Sequence, residues 1–327
     1  MANIKEIARI AGVSVTTVSR VLNNHPYVSK DKRTAVLETI EQLNYTRNMN
    51  AVHLITGRTG AVAVILPFIN SFYFSVVMDG LAQAALAAQY RLILCQTNYV
   101  PEEELKVLDM LRNKEIDGVI IVSTALKPEV IEPYTIYGPV VTCQNSGERR
   151  FSSVYIEQYA AFRHGLEYLY GKGHRRIGYC EGRQNGSSAS IRQNAFQDFL
   201  AEKGVLFDPE WMIFDCIREE DGAEVARRLL GKTDRSSRPE AMIISGDHVA
   251  AGLIIEARKH GLEIPEDLAV MGFDNQPIGR LLGITTIDNQ LYQMGEAAFG
   301  IIHEHINGSS LPVTRKLEYR IIERSTV

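Results

Sequence analysis

Seven apolar runs recur along most of the chain: AVAVIL (61–66), RLILC (91–95), DGVIIV (117–122), PVVTC (139–143), RRIGYC (175–180), EAMIIS (240–245) and DLAVMGF (267–273). Their hydrophobicity is continuous rather than alternating, and amphipathic segments separate them. That is the signature of parallel strands covered by helices on both faces. Two series of such units, roughly 60–158 and 159–287, predict an α/β protein with two doubly wound lobes.

Ligands in open α/β sheets collect beyond the carboxyl ends of the strands, so the loops after these runs are the place to look for a site. PFINSFYF (67–74) supplies Tyr73 and Phe74, which either offer a ring face to a ligand or pack the following helix. SSASIRQNAF (187–196) places Ser188 and Arg192 at the start of a helix, either suited to hydroxyl or carboxylate ligands or simply solvated helix positions. SGDHVAAG and MGFDNQP put Asp247 and Asp274 at strand ends. Helix capping is expected of Asp247 and ligand binding of Asp274.

The N-terminal segment is different in kind. Residues 1–58 carry eight Lys/Arg against four acids, so this end is +4 in a chain of net charge −4, and the remainder is −8. A basic head on an acidic body suggests a polyanionic partner for the head alone. Ile4, Ile7, Ala8 and Ala11 fall at helical spacing, and Gly12 is a natural stop. Ser14 can cap a second helix, VSVTTVSRVLN, and a third is expected after Ser29 with Val36, Leu37, Ile40 and Leu43 inward. In the second helix Thr16, Arg20 and Asn23 run along one side while Val18, Val21 and Leu22 line another. Three short helices of this kind fit a helix-turn-helix unit, whose second helix enters the DNA major groove. Arg can bridge guanine O6 and N7, and Thr can meet a thymine methyl or a phosphate. A solvated face on a small helical cap is the alternative.

The run IKEIARIAGVSVTTVSRVLNNHPYVSKDKR, followed by IEQLNY, closely resembles the N-terminal signature of the lactose and galactose repressor (LacI/GalR) family, and the similarity continues to the C-terminus. The resemblance implies that Val15, Thr16 and Arg20 read bases and that Thr17, Ser19, Asn23 and Tyr27 contact phosphates. It implies that TRNMNAVHLITGR, by itself a linker, is a hinge helix in which Leu54 wedges into the minor groove with Asn48 and Val52 beside it. Arg47 stands where the family usually has Pro. The resemblance further implies a body like periplasmic sugar-binding proteins, crossed three times by the chain. The expected domains are therefore a head at 1–45, a hinge at 46–59 and a body at 60–327. Lobe one would take about 60–158 and 288–317, lobe two about 159–287 and 318–327. Among cleft positions, Arg192 and Asp274 match the family's effector-gripping residues. Gln144 stands where an acid is frequent, Gly246 where Asn is frequent, and Ser71-Phe72 replaces an Asn-Pro pair.

Competing functions are thinly supported. There is no GK[ST] phosphate loop, no GxSxG elbow and no metal-spaced His pair, since His303 and His305 lie at i, i+2. Cys95, Cys143, Cys180 and Cys216 sit singly, as free thiols in a reducing compartment would. No run approaches the roughly 18 apolar residues that span a bilayer. A cytoplasmic homodimeric repressor is expected, binding a palindromic operator under control of a small molecule, by family frequency a sugar. No enzyme activity, cofactor, metal or membrane partner is expected. A solute-binding or sugar-processing α/β protein without a DNA role is the alternative.

Overall fold

The structure, a computed structural model, describes residues 3–46, 57–147, 149–184, 186–205, 207–231, 234 and 237–327. It divides into two compact units, Met1–Arg58 and Thr59–Val327.

In the first unit, α1 (Ile4–Ile10), α2 (Val15–Leu22) and α3 (Lys30–Gln42) enclose Ile7, Val18, Val21 and Val36. Burial of each such side chain contributes roughly 1.5–3 kcal/mol, which is how so small a unit holds together. Gly12 takes φ +64° in the turn, a conformation that costs a β-carbon-bearing residue. Ser14 Oγ accepts from the Thr17 amide at 3.1 Å, satisfying one orphan N–H of α2 and contributing about 1 kcal/mol. Two expectations fail in α3. Leu37 is 50% exposed, because Thr39 fills the inner face instead and bonds back to the Ala35 carbonyl at 2.8 Å. Ser29 holds the N-cap position, but its hydroxyl makes no capping bond.

The second unit contains two six-stranded sheets. Sheet one comprises β1 (Ala61–Leu66), β2 (Arg91–Gln96), β3 (Gly118–Ile121), β4 (Val140–Thr142), β5 (Ser152–Tyr155) and β11 (Thr314–Lys316), in the order β11-β5-β4-β3-β1-β2. Sheet two comprises β6 (Ile177–Cys180), β7 (Met212–Ile213), β8 (Ala241–Ile244), β9 (Ala269–Phe273), β10 (Thr285–Asp288) and β12 (Arg320–Ile322), in the order β12-β10-β9-β8-β6-β7. All pairings are parallel except β10 with β12. The chain passes between the sheets after β5, after β10 and after β11.

The connecting helices that matter for the site are α4 (Phe72–Ala87), α5 (Pro101–Arg112), α6 (Pro128–Ile131), α7 (Gln158–Gly171), α8 (Ser187–Lys203), α9 (Glu219–Leu230), α10 (Asp247–Lys259), α11 (Pro277–Leu281) and α12 (Leu291–Ile306). The seven apolar runs all become strands, and β1, β3, β4, β6, β8 and β9 are buried throughout. RLILC departs from the expectation of cover on both faces. As the edge strand β2 it leaves Ile93 and Leu94 exposed.

Candidate functional site

On the outer side of α2, Val15, Thr16, Ser19 and Arg20 are exposed together, and Asn23 ends the helix. Val18 and Val21, on the opposite side, are in the core, so packing fixes which face points outward. Thr17 turns its hydroxyl to Ser14 Oγ at 2.9 Å, within the cap. Tyr27, 83% exposed, lies beside His25 with ring centroids 5.6 Å apart. Asn48, Val52 and Leu54 lie outside the described residues.

In the body the strand order reverses between β1 and β3 and again between β6 and β8. These switch points leave crevices at the carboxyl ends of the strands. The crevices of the two sheets share one cavity of about 300 Å³. Tyr73, Phe74, Gln144, Ser188, Arg192, Gly246 and Asp274 all line it, so residues scattered over two hundred positions converge on one site.

Arg192 is its most constrained cation. Its Nε lies 2.9 Å from Glu181 Oε2, its Nη2 donates to Glu181 Oε1 at 3.1 Å, and its guanidinium lies 5.2 Å from the Phe273 ring centroid. Burial by itself would lower the Arg192 pKa, but Glu181, Tyr179 and Asp274 hold it above the ordinary value. Asp274 accepts from Asn289 Nδ2 at 2.8 Å and Gln276 Nε2 at 3.1 Å. Burial pushes its carboxyl up to about 6 against the opposing pull of Arg192. Asp274 and Asn275 have φ of +93° and +50°, and Arg324, just past β12, donates to Asn275 Oδ1 at 2.7 Å. Backbone strain of this kind persists where the surroundings over-determine it.

Tyr73 packs edge-on to Phe74 with centroids 5.1 Å apart, and burial raises its phenol above the ordinary range. Phe74 is a core residue as well as part of the cavity wall. Gly246 leaves no room for a side chain without displacement: a β-carbon would meet the His248 ring at 2.9 Å. His248 thus fills the space an Asn there would use.

Asp247 does not cap its own helix. Fully buried and absent from the cavity wall, it accepts from the Gln276 amide at 2.6 Å and the Thr286 hydroxyl at 2.7 Å. Burial pushes its carboxyl up to about 8. Its effect is to tie the loop carrying Asp274 to β10.

The residues missed from sequence are Glu181, Arg183, Tyr99, His248 and Asn289, all on the cavity wall. Each follows an apolar or β-branched stretch by a few positions, which is the signal that would have found them. Two contacts bridge the sheets' loops: Arg183 lies 3.6 Å over the Tyr99 ring, and the Phe72 and His248 rings are 6.1 Å apart. Among the described residues, no cluster of three His, Cys, Asp or Glu could hold a metal ion, and no helix is long and apolar enough to cross a membrane.

Comparison with known proteins agrees with both halves of this arrangement. Residues 3–48 match the family described as bacterial regulatory proteins, lacI family, and residues 166–327 match a periplasmic binding protein-like domain. The HTH-type transcriptional regulator YkvZ of Bacillus subtilis is 44% identical over all of this chain and all of its own. A LacI family regulator from Lactobacillus casei, solved with bound sucrose, is 25% identical with a TM-score of 0.76, covering 82% of this chain and 99% of its own. The Lac repressor dimer bound to operator and the anti-inducer ONPF shares the fold, with a TM-score of 0.85 at 20% identity over 99% of this chain and 98% of its own. With a helix-turn-helix head, a two-sheet body and a relative matched end to end, the chain belongs to the LacI family of bacterial transcriptional regulators.

Proposed function

We propose that this regulator is a cytoplasmic homodimeric repressor that releases or grips a pseudo-palindromic operator when a sugar enters the cavity of its body. The observation that carries the reading is one chain combining an exposed polar face on α2 with a cavity holding Arg192, Asp274 and an edge-on aromatic pair. Val15, Thr16 and Arg20 read bases. Thr17, Ser19, Asn23 and Tyr27 meet phosphates, and Asn48, Val52 and Leu54 act at the minor groove. The effector contacts Tyr73, Phe74, Gln144, Ser188, Arg192, Gly246 and Asp274. The sucrose-bound relative supports a carbohydrate. Apolar side chains exposed on each lobe, Leu86, Ile93 and Leu94 in one and Ile255 and Leu281 in the other, support a dimer. Effector and operator would be coupled by about 1–3 kcal/mol through a change in lobe closure.

Arg20→Ala is expected to lose about 1–3 kcal/mol of operator binding while non-specific binding changes far less. Quantitative gel shifts on operator and random duplexes measure both, and equal losses on the two would end the assignment of Arg20 to a base. Thermal unfolding against a panel of sugars tests the effector. A ligand at about 100 times its Kd stabilises the native state by roughly 2.7 kcal/mol. Asp274→Asn is expected to abolish that stabilisation and leave effector-free operator binding intact; a panel silent throughout would count against a sugar.

A further inference from the structure

An arginine in a ligand cavity ordinarily serves to grip an anion, with two parallel N–H donors matched to two oxygens. Arg192 already has an anionic partner inside the protein. Its Nη2 donates to Glu181 Oε1 at 3.1 Å, and its Nε lies 2.9 Å from Oε2 as an ion pair without a hydrogen bond of its own. Glu181 is itself held in place: it is 2% exposed, the Tyr179 hydroxyl donates to Oε2, and the Gly182 amide donates to Oε1 at 2.8 Å.

The cavity's other basic side chains have contacts of their own. The Arg183 guanidinium carbon lies 3.6 Å from the Tyr99 ring centroid. His248 has its ring nitrogens 3.0 Å from Gln276 Oε1 and 2.8 Å from the Ile217 carbonyl oxygen. Asp274 adds a second carboxylate, 8% exposed, whose hydrogen-bond donors are the uncharged amides of Asn289 and Gln276. An anion seeking Arg192 would meet an arginine already neutralised and, in Asp274, a carboxylate that repels it. Burying a charge without a free partner is costly, which disfavours an anion beside Arg192.

We propose that Glu181 is a specificity-determining residue that makes the cavity refuse anions, so that the effector is an uncharged or amine-bearing polyhydroxy compound and neither a phosphate ester nor a sugar acid. This rests on the cavity being the effector site, but its test does not. Glu181→Gln keeps the length and an acceptor oxygen while removing the charge that occupies Arg192.

Inorganic phosphate is titrated calorimetrically into the full-length protein, Glu181→Gln, and the double variant Glu181→Gln/Arg192→Gln. Binding at the basic head is common to all three and subtracts. Glu181→Gln is expected to bind phosphate at least about tenfold more tightly than the parent, and the double variant is expected to return to the parental level. Parental protein that binds phosphate as tightly as Glu181→Gln, or a single variant that gains nothing, overturns the proposal. Should Glu181→Gln fail to fold, the parent and Arg192→Gln decide: phosphate binding by the parent that Arg192→Gln removes refutes it, and equal titrations uphold it. Because no effector or operator enters the experiment, its outcome is independent of whether the sugar reading stands.

Discussion

Arg192→Ala is expected to destabilise the body by about 3–5 kcal/mol, far more than loss of a ligand contact would. Removing one partner of a buried ion pair leaves the other charge without compensation, and that penalty exceeds the net worth of the intact pair. Glu181 is the stranded partner, since its side chain is 3% exposed and Arg192 is its ion-pair partner at 2.9 Å. The truncation also leaves a space beside Phe273, over which the guanidinium lies. Urea unfolding followed by tyrosine and tryptophan fluorescence measures the loss. The control is Arg192→Ala combined with Glu181→Gln, which should recover most of it. If the double variant is as unstable as the single one, lost packing and not the orphaned carboxylate is the cause. The consequence for function is practical: a lost effector response in Arg192→Ala is ambiguous, and Asp274→Asn is the cleaner probe of the cavity.

What the sequence disclosed, and what it hid, follows from which physical signals are local. The seven continuous apolar runs announce buried strands because every residue in them must be acceptable in the core. β10 escapes notice because it reads TTID, yet Thr285 and Thr286 are fully buried. Their hydroxyls are satisfied by partners distant in sequence: Thr285 Oγ1 accepts from the Arg324 amide at 3.0 Å and Thr286 donates to Asp247. β5 reads SSVY and is hidden the same way, with Ser152 Oγ accepting from the Val313 amide at 2.9 Å. β7, β11 and β12 span two or three residues and carry no pattern to read.

The site shows the same division. Arg192 and Asp274 were legible as charged residues at the ends of strands or the starts of helices. Glu181 was not, because it directly follows Cys180, the last apolar residue of its run, and carries no pattern of its own. The expectation that Asp247 caps α10 failed because its side chain finds the Gln276 amide and the Thr286 hydroxyl, contacts that exist only after the sheet has formed.

Gly252→Ala is expected to cost about 3 kcal/mol or more, the upper range of overpacking in a core, although alanine is the better helix former. A β-carbon at Gly252 in α10 would lie 1.9 Å from the Glu219 carbonyl oxygen, and one at Gly222 in α9 would lie 2.0 Å from that of Val249. Each helix therefore presses its backbone into a gap that the other's glycine leaves open. Lobe one repeats the device with Gly80 in α4 and Gly295 in α12, whose β-carbons would meet the carbonyl oxygens of Tyr292 at 2.0 Å and Val77 at 2.1 Å. Backbone atoms cannot rotate aside as a flexible side chain can, so the helices must separate, and α10 begins at the cavity with Gly246 before it and His248 in its first turn. Gly300 provides the opposite sign in one experiment. It lies within α12, is exposed, and has nothing within 4 Å of the added β-carbon. Gly300→Ala should therefore stabilise by about 0.5–1 kcal/mol, through propensity and reduced freedom of the unfolded chain. Thermal and urea unfolding of the two variants side by side measures the contrast. Equal and favourable shifts would mean that α9 and α10 are not held at backbone contact, and that the cavity wall at the start of α10 is free to move.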